Sequence, residues 1–223
     1  MGAAALRVQF DSFLGGSLDW RTRPLPDTVT SGIAEIDLPR GGLTEIVGPA
    51  SSGRTSLLLS ILAAATARQE TCALVDTEDA FDPASASAAG VLLHRLLWVR
   101  CGHNAEHALK AADLLIQGGG FGLAILDLGD TPPGAARRIS LTSWFRLRRA
   151  VENTPSVLVS VSRQSLARTC ASLVLECARD GATWSGAAPS GPPASRLLRG
   201  IRARATSTHR SRTCSPVFTA AAL

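Results

Sequence analysis

The chain has 223 residues, 45% of them apolar, with 23 Lys and Arg against 18 Asp and Glu. That length suits one α/β domain with extensions rather than two full domains. No apolar run approaches the ~18–20 residues of a membrane span, and no leader-like segment is read at the start, so neither a membrane partner nor secretion is expected.

The charge is uneven. From Gly181 to Leu223 there are six Arg and no acidic residue, so the basic balance belongs to the C-terminal end, a composition that suits phosphate contacts. Lys110 is the only lysine, which makes arginine dominance partly compositional. Five scattered cysteines (72, 101, 170, 177, 214), odd in number and never in a C-x-x-C pair, favour a reducing cytoplasm over a disulfide framework.

In chain order, Leu6, Phe10, Phe13 and Leu14 make one apolar stripe on a short helix stopped by Gly15-Gly16. The stripe docks either on the chain's own body or on a neighbouring subunit. Residues 17–31 read as a turn-rich linker. Leu43–Val47 reads as a buried strand, Ser56–Ala65 as a helix, and between them lies Gly48-Pro49-Ala50-Ser51-Ser52-Gly53-Arg54-Thr55. Strand, G-x-x-x-x-G-[basic]-[ST] loop and helix is the context of a phosphate-binding P-loop. Gly48 and Gly53 let successive N–H groups converge on a phosphate, and the helix N-terminus adds partial positive charge. Thr55 is placed to offer its hydroxyl to a phosphate-bound magnesium, and Ser56 completes the phosphate-contacting run. Arg54 stands where the motif has lysine.

A second strand, Cys72–Asp76, ends in the acidic cluster Asp76-Thr77-Glu78-Asp79-Ala80-Phe81-Asp82-Pro83. At the carboxyl end of a parallel strand this acidic segment faces the P-loop, with Glu78 positioned to orient or deprotonate a water. The alternative is a solvated acidic turn in which Asp82 caps the next helix. Leu96–Val99 is a third strand and Asn104–Ile116 an amphipathic helix. His103, His107 and Cys101 lack a second ligand pair, so they read as a helix start and exposed imidazoles rather than a zinc site.

Phe121–Asp127 carries four apolar residues ending in Asp, the Walker B pattern that delivers a carboxylate to the magnesium water shell. Arg137 and Arg138 follow a tight Gly-Pro loop. Ser140–Val151 reads as a helix, Ser156–Val161 as a strand ending at Arg163 and Gln164, and Ala171–Glu176 as another strand. Gly181–Ser195 reads as a flexible linker. Arg199–Arg204 reads as a last strand, with Ile201 and Ala203 on one face and Arg202 and Arg204 on the other. No order is expected beyond Thr206.

The runs Gly32–Asp37, Gly42–Gly53, Ala73–Pro83 and Leu123–Asp127 together resemble the core of the bacterial RecA recombinase family over about residues 28–206. The resemblance implies an α/β fold with a RecA-type P-loop NTPase core around a mainly parallel, helix-flanked sheet. It further implies ATP and Mg2+ as cofactors and a role in DNA repair, recombination or the damage response, with single-stranded DNA as partner. On that comparison Glu78 falls on the catalytic glutamate, Asp127 on the Walker B aspartate, and Asp82 on the residue near the adenine. Arg163 or Gln164 corresponds to the glutamine sensor. Arg202 and Arg204 fall on basic residues that reach ATP across a subunit interface.

Several features depart from the family. Its stacking tyrosine is Ser85 here, both DNA-binding loops are cut down, and an Arg-rich tail replaces its C-terminal domain. Arg137 and Arg138, with the C-terminal arginines, remain as phosphate contacts. Small chains of this pattern also resemble ImuA-type accessory factors of mutagenic polymerases. The expected organisation is an N-terminal helix and linker over 1–27, the ATP-binding core over 28–206 and a disordered tail over 207–223. Two functions are open: a DNA-strand-binding ATPase with turnover impaired by Arg54, self-associating through its N-terminal helix, or a nucleotide-binding interaction module that serves a polymerase or repair partner.

Overall fold

Short aliphatic and β-branched runs build the middle of the sheet. β3 (Leu43–Val47), β4 (Cys72–Asp76), β6 (Leu123–Asp127) and β7 (Val157–Ser162) are covered on both faces almost throughout, as parallel strands between two helical layers must be. The computed structural model describes residues 28–184, 198–209, 212–214 and 217–221. The N-terminal helix, residues 17–27 of the first expected linker and the part of the second beyond Trp184 lie outside the described residues, while Thr28–Thr30, read as linker, form a strand.

Around those strands lie β5 (Leu96–Arg100), β8 (Leu173–Trp184) and β9 (Leu198–His209). The spatial order is β5-β4-β6-β7-β3-β8-β9, parallel from β5 to β8, with β9 antiparallel to β8. β10 (Arg212–Cys214) and β11 (Val217–Ala221) both pair antiparallel with β9. A separate ribbon joins β1 (Thr28–Thr30) to β2 (Asp37–Pro39). β7 lies between the strand that feeds the P-loop and the strand that ends at Asp127. Its register sets Val161 beside both Ile46 and Asp127, so the three carboxyl ends are flush.

α1 (Arg54–Ala67) covers one face, where Leu57, Ile61 and Leu62 share a core with Ile46, Ile125 and Val159. On the other face, α3 (Ala105–Gly118) and α5 (Leu141–Val151) bring Ala112, Trp144 and Leu147 onto Leu43, Leu126 and Leu158. Alternate residues of one strand thus feed opposite cores. The short helices α2 (Pro83–Ala88) and α4 (Pro133–Ala136) sit on loops at the carboxyl edge of the sheet.

The core matches the sequence reading, whereas the C-terminal end corrects it. β8 runs through Trp184 rather than stopping at Glu176, and β9 runs through His209. Where no order was expected beyond Thr206, β10 and β11 cover the open side of β9. An unpaired edge leaves a row of N–H and C=O groups without partners, and this Thr-, Ser- and Ala-rich segment satisfies them. Its weak apolar alternation hid it from a reading based on periodicity.

One buried carboxylate ties the layers together. Glu45, in the middle of β3, accepts hydrogen bonds from Ser165 Oγ at 2.6 Å and from the backbone N–H groups of Leu166 and Ala167 at 2.8 Å each. It thereby fixes the chain leaving β7 against the P-loop strand. Replacing Glu45 with Ala leaves three donors without their acceptor, the buried Ala167 N–H among them, and is expected to destabilise the protein by about 2 kcal/mol, measured by urea denaturation.

Candidate functional site

The P-loop is shaped by two close approaches. A side chain at Gly48 would meet the Cys177 carbonyl oxygen at 2.5 Å and Ser52 Oγ at 2.6 Å. Gly53 opens α1 at φ +94°, a left-handed conformation that favours glycine, and a side chain there would meet Ala203 Cβ at 2.5 Å. The inward face of β9 therefore backs the loop, with Phe218 of β11 close behind. Pro49, Ala50 and Ser51 are exposed, while the Ser52 hydroxyl is buried without a hydrogen-bond partner among the described residues.

Beside the loop opens a cleft of about 160 Å³, lined among others by Arg54, Thr55, Phe81, Asp82, Ser85 and Asp127. It gathers residues from the P-loop, from the segment after β4 and from the end of β6. Thr55 is exposed to the cleft and Ser56 half-buried behind it. Asp82 caps α2, accepting from Ala84 N, Ser85 N and Ser85 Oγ. Those bonds, the Ser85 hydroxyl foremost, hold its carboxyl below the usual range. The capping alternative and the place beside the cleft are thus both realised.

Arg54 is the departure with most consequence. It is 7% exposed, and its Nη1 donates to the Gly129 carbonyl at 3.1 Å. Burial lowers its pKa, with Asp127 and Asp130 opposing that shift. Asp127 Oδ1 accepts from Gly129 N at 2.8 Å, and the carboxylate forms no ion pair among the described residues. Burial pushes its pKa up to about 6, with Asp76 and Asp130 adding like charge. A carboxylate so poorly compensated, next to the open Thr55 hydroxyl, fits a hard divalent cation with oxygen ligands. The unpartnered Ser52 hydroxyl and the convergent P-loop backbone fit a phosphate.

Glu78 does not line this cleft. Its Oε2 lies 2.8 Å from His103 Nδ1, in an ion pair that the sequence reading missed. The loop carrying Glu78 is rigidly organised. Asp76, read as part of an acidic cluster facing the P-loop, instead turns into its own loop and accepts from Ala80 N, Phe81 N and Trp98 Nε1. Trp98 meets Phe81 edge-on, and Arg100 stacks over Trp98 while pairing with Asp79. Trp98, two residues before the end of β5, was the available signal: an indole N–H on a half-buried strand needs a buried acceptor.

The remaining basic residues divide. Arg163 turns toward the cleft, its Nε 3.4 Å from the Gly129 carbonyl and its Nη2 3.9 Å from Asp130. Gln164 lines a smaller pocket with Arg137, and Arg138 lines a groove between α3 and α5. Arg202 and Arg204 point outward from β9 and both pair with Asp180, at 3.0 and 3.1 Å. Neither lines the cleft of its own chain.

Comparison with known proteins agrees with this geometry. The description "RecA N-terminal domain" matches residues 25–131, the stretch carrying the P-loop, Glu78 and Asp127. Over that stretch the core is similar to the N-terminal domain of RecA proteins. Protein RecA of Deinococcus radiodurans is 32% identical over 60% of this chain and 43% of its own. Protein RecA of Rickettsia bellii is 28% identical over 73% of this chain and 54% of its own. The chain thus spans about half the length of the curated relatives it matches.

The raised Asp127 pKa has a sign that can be checked. An acid whose folded pKa lies above its unfolded value costs stability when ionised, fully above about 6 and not at all below about 4. Asp127→Asn in this RecA-type core is expected to stabilise the ligand-free protein by on the order of 2 kcal/mol at neutral pH. That gain shrinks as the pH is lowered from 6 toward 4, measured by chemical denaturation across the range.

Proposed function

We propose that this RecA-like chain binds ATP with magnesium in the P-loop cleft and acts on single-stranded DNA in repair or recombination, with slow hydrolysis. The observation that carries the reading is the Arg54 guanidinium, tethered to the Gly129 carbonyl beside Asp127. A lysine ammonium at that place is a compact charge free to follow a phosphate. A planar guanidinium fixed to a neighbouring loop is larger, and a misplacement of about 1 Å at the reacting phosphate costs roughly 100-fold in rate.

The residues divide the work as follows. Backbone N–H groups from Ala50 to Thr55, with the Ser52, Thr55 and Ser56 hydroxyls, hold the phosphates in the loop that Gly48 and Pro49 open, and Arg54 neutralises them from the side. Thr55 and Asp127 hold the magnesium, which when bound supplies counter-charge to the phosphates. Asp82 stands at the nucleoside end, where Ser85 in place of a stacking ring leaves the base loosely gripped. Glu78, once turned into the cleft, accepts a proton from water at a carboxylate oxygen. Arg163 reads the occupancy of the site through Gly129, with Gln164 beside it. Arg202 and Arg204, exposed on β9, are available to a neighbouring subunit's nucleotide. Arg137 and Arg138 offer contacts to a strand backbone.

The second reading, an ImuA-like nucleotide-binding module serving a polymerase or repair partner with little DNA affinity of its own, is favoured by the same tether of Arg54 and by the short loops that follow Asp127 and Gln164. Both readings fit a cytoplasmic protein. Binding and turnover separate them. Arg54→Lys is expected to leave ATP affinity within a few-fold and to raise single-turnover hydrolysis by about 10- to 100-fold. Natural protein turning over as fast as the variant refutes the role given to Arg54. Affinity for single-stranded DNA that falls steeply with salt supports the first reading, and absence of binding at low salt supports the second.

A further inference from the structure

A groove of about 430 Å³ runs between the start of α3 and the segment from α4 into α5. Leu109 and Ile139 line it together with the cations Lys110, Arg138 and Arg146, and Glu106 is its one acidic side chain. Arg146 leans on Asp113 at 3.4 Å. The N-terminus of the 14-residue α3, capped by Asn104, opens into the same space. Its remaining lining residue of interest is His103, whose imidazole is also the partner of Glu78.

His103 is held where it can serve both. Its backbone N–H donates to the Thr77 carbonyl at 2.8 Å, and Cys101 N donates to the Asp76 carbonyl at 3.0 Å, so the loop after β5 is zipped to the loop after β4. The residue sits at φ +62°, a left-handed conformation that costs energy for a histidine. In return the ring lies in reach of the carboxylate, 69% exposed on its other side. The groups facing it are Glu78, Asp79 and Asp76 from the β4 loop, while the groove it also lines holds Lys110, Arg138 and Arg146 with Glu106.

We infer that His103 is a positioning residue coupling Glu78 to this groove. With no anion in the groove it keeps the carboxylate turned away from the P-loop cleft. A phosphate of a bound single strand, gathered by Arg138 and Lys110, competes for the imidazolium and releases Glu78 toward the cleft. This rests on the reading above that Glu78 is the base. The hydrogen bond to Glu78, then the nearby carboxylates, raises the His103 pKa. The restraint therefore holds while the imidazole is protonated and fades as the pH rises through its raised midpoint.

The test uses protein with isotope-labelled histidines, following each imidazole by NMR, with His103→Gln identifying its signal. In nucleotide-free protein, Glu78→Gln should lower the His103 titration midpoint toward the ordinary histidine range. Oligothymidylate at low salt should displace the same signal in the natural protein. His103→Gln should raise DNA-free single-turnover hydrolysis about two- to fivefold, the scale of one exposed ion pair, flatten its fall in acid and remove further stimulation by the oligonucleotide. An unchanged midpoint in Glu78→Gln overturns the coupling, as does an oligonucleotide that leaves the His103 signal in place. Inorganic phosphate producing the same displacement at equal phosphate concentration overturns the assignment to a strand. Failure to bind ATP would refute the function proposed for the cleft, whereas the nucleotide-free titration decides the His103–Glu78 pairing independently.

Discussion

The placement of β7 between β3 and β6 governs everything at the carboxyl edge of the sheet. Adjacent strands lie about 4.8 Å apart, so one intervening strand holds the P-loop and Asp127 at twice that spacing. The gap is wide enough for phosphates and a cation but too wide for a direct bond between loop and carboxylate. Arg54 reaches across to Gly129, and Arg163, leaving β7, converges on the same carbonyl. Two guanidiniums on one oxygen, flanked by Asp127 and Asp130, make the centre of the site a charge balance. Any anion entering the cleft shifts that balance.

Rigidity is distributed to match. Asp76, Glu45 and Trp98 take no part in the cleft, yet each locks a loop that borders it. Asp76 and Glu45 are charged residues spent on backbone N–H groups. Buried carboxylates are stable only when their oxygens are so occupied. Asp127 differs: its carboxylate takes one backbone N–H, from Gly129, and faces the Arg54 guanidinium without a direct ion pair among the described residues.

Much of this was legible in the sequence. The strands of the core, the P-loop and Asp127 declared themselves through apolar runs that end in glycine or a carboxylate, whereas Glu78, expected to face the P-loop, lies outside the cleft. What escaped had physical causes. β10 and β11 carry small and β-branched polar residues whose reason for order is a neighbour's open edge, a tertiary fact. The pairing of Glu78 with His103 joins residues 25 apart in sequence, on loops brought together only by β4 and β5 lying side by side. Asp76 looked like its acidic neighbours until its partner, Trp98, was placed across the strand pair. Composition suggested one basic tail, whereas Arg202 and Arg204 fold back onto Asp180.

The contact of Gly53 with Ala203 has a consequence in time. A chain made from its N-terminus presents the P-loop roughly 150 residues before the strand that backs it, and domains fold as they emerge during synthesis. Until β9 and β11 arrive, the loop and the start of α1 have one flank open and Phe218 missing from the apolar cluster behind them. A nascent chain stalled before β9 thus carries the loop motif without its backing wall.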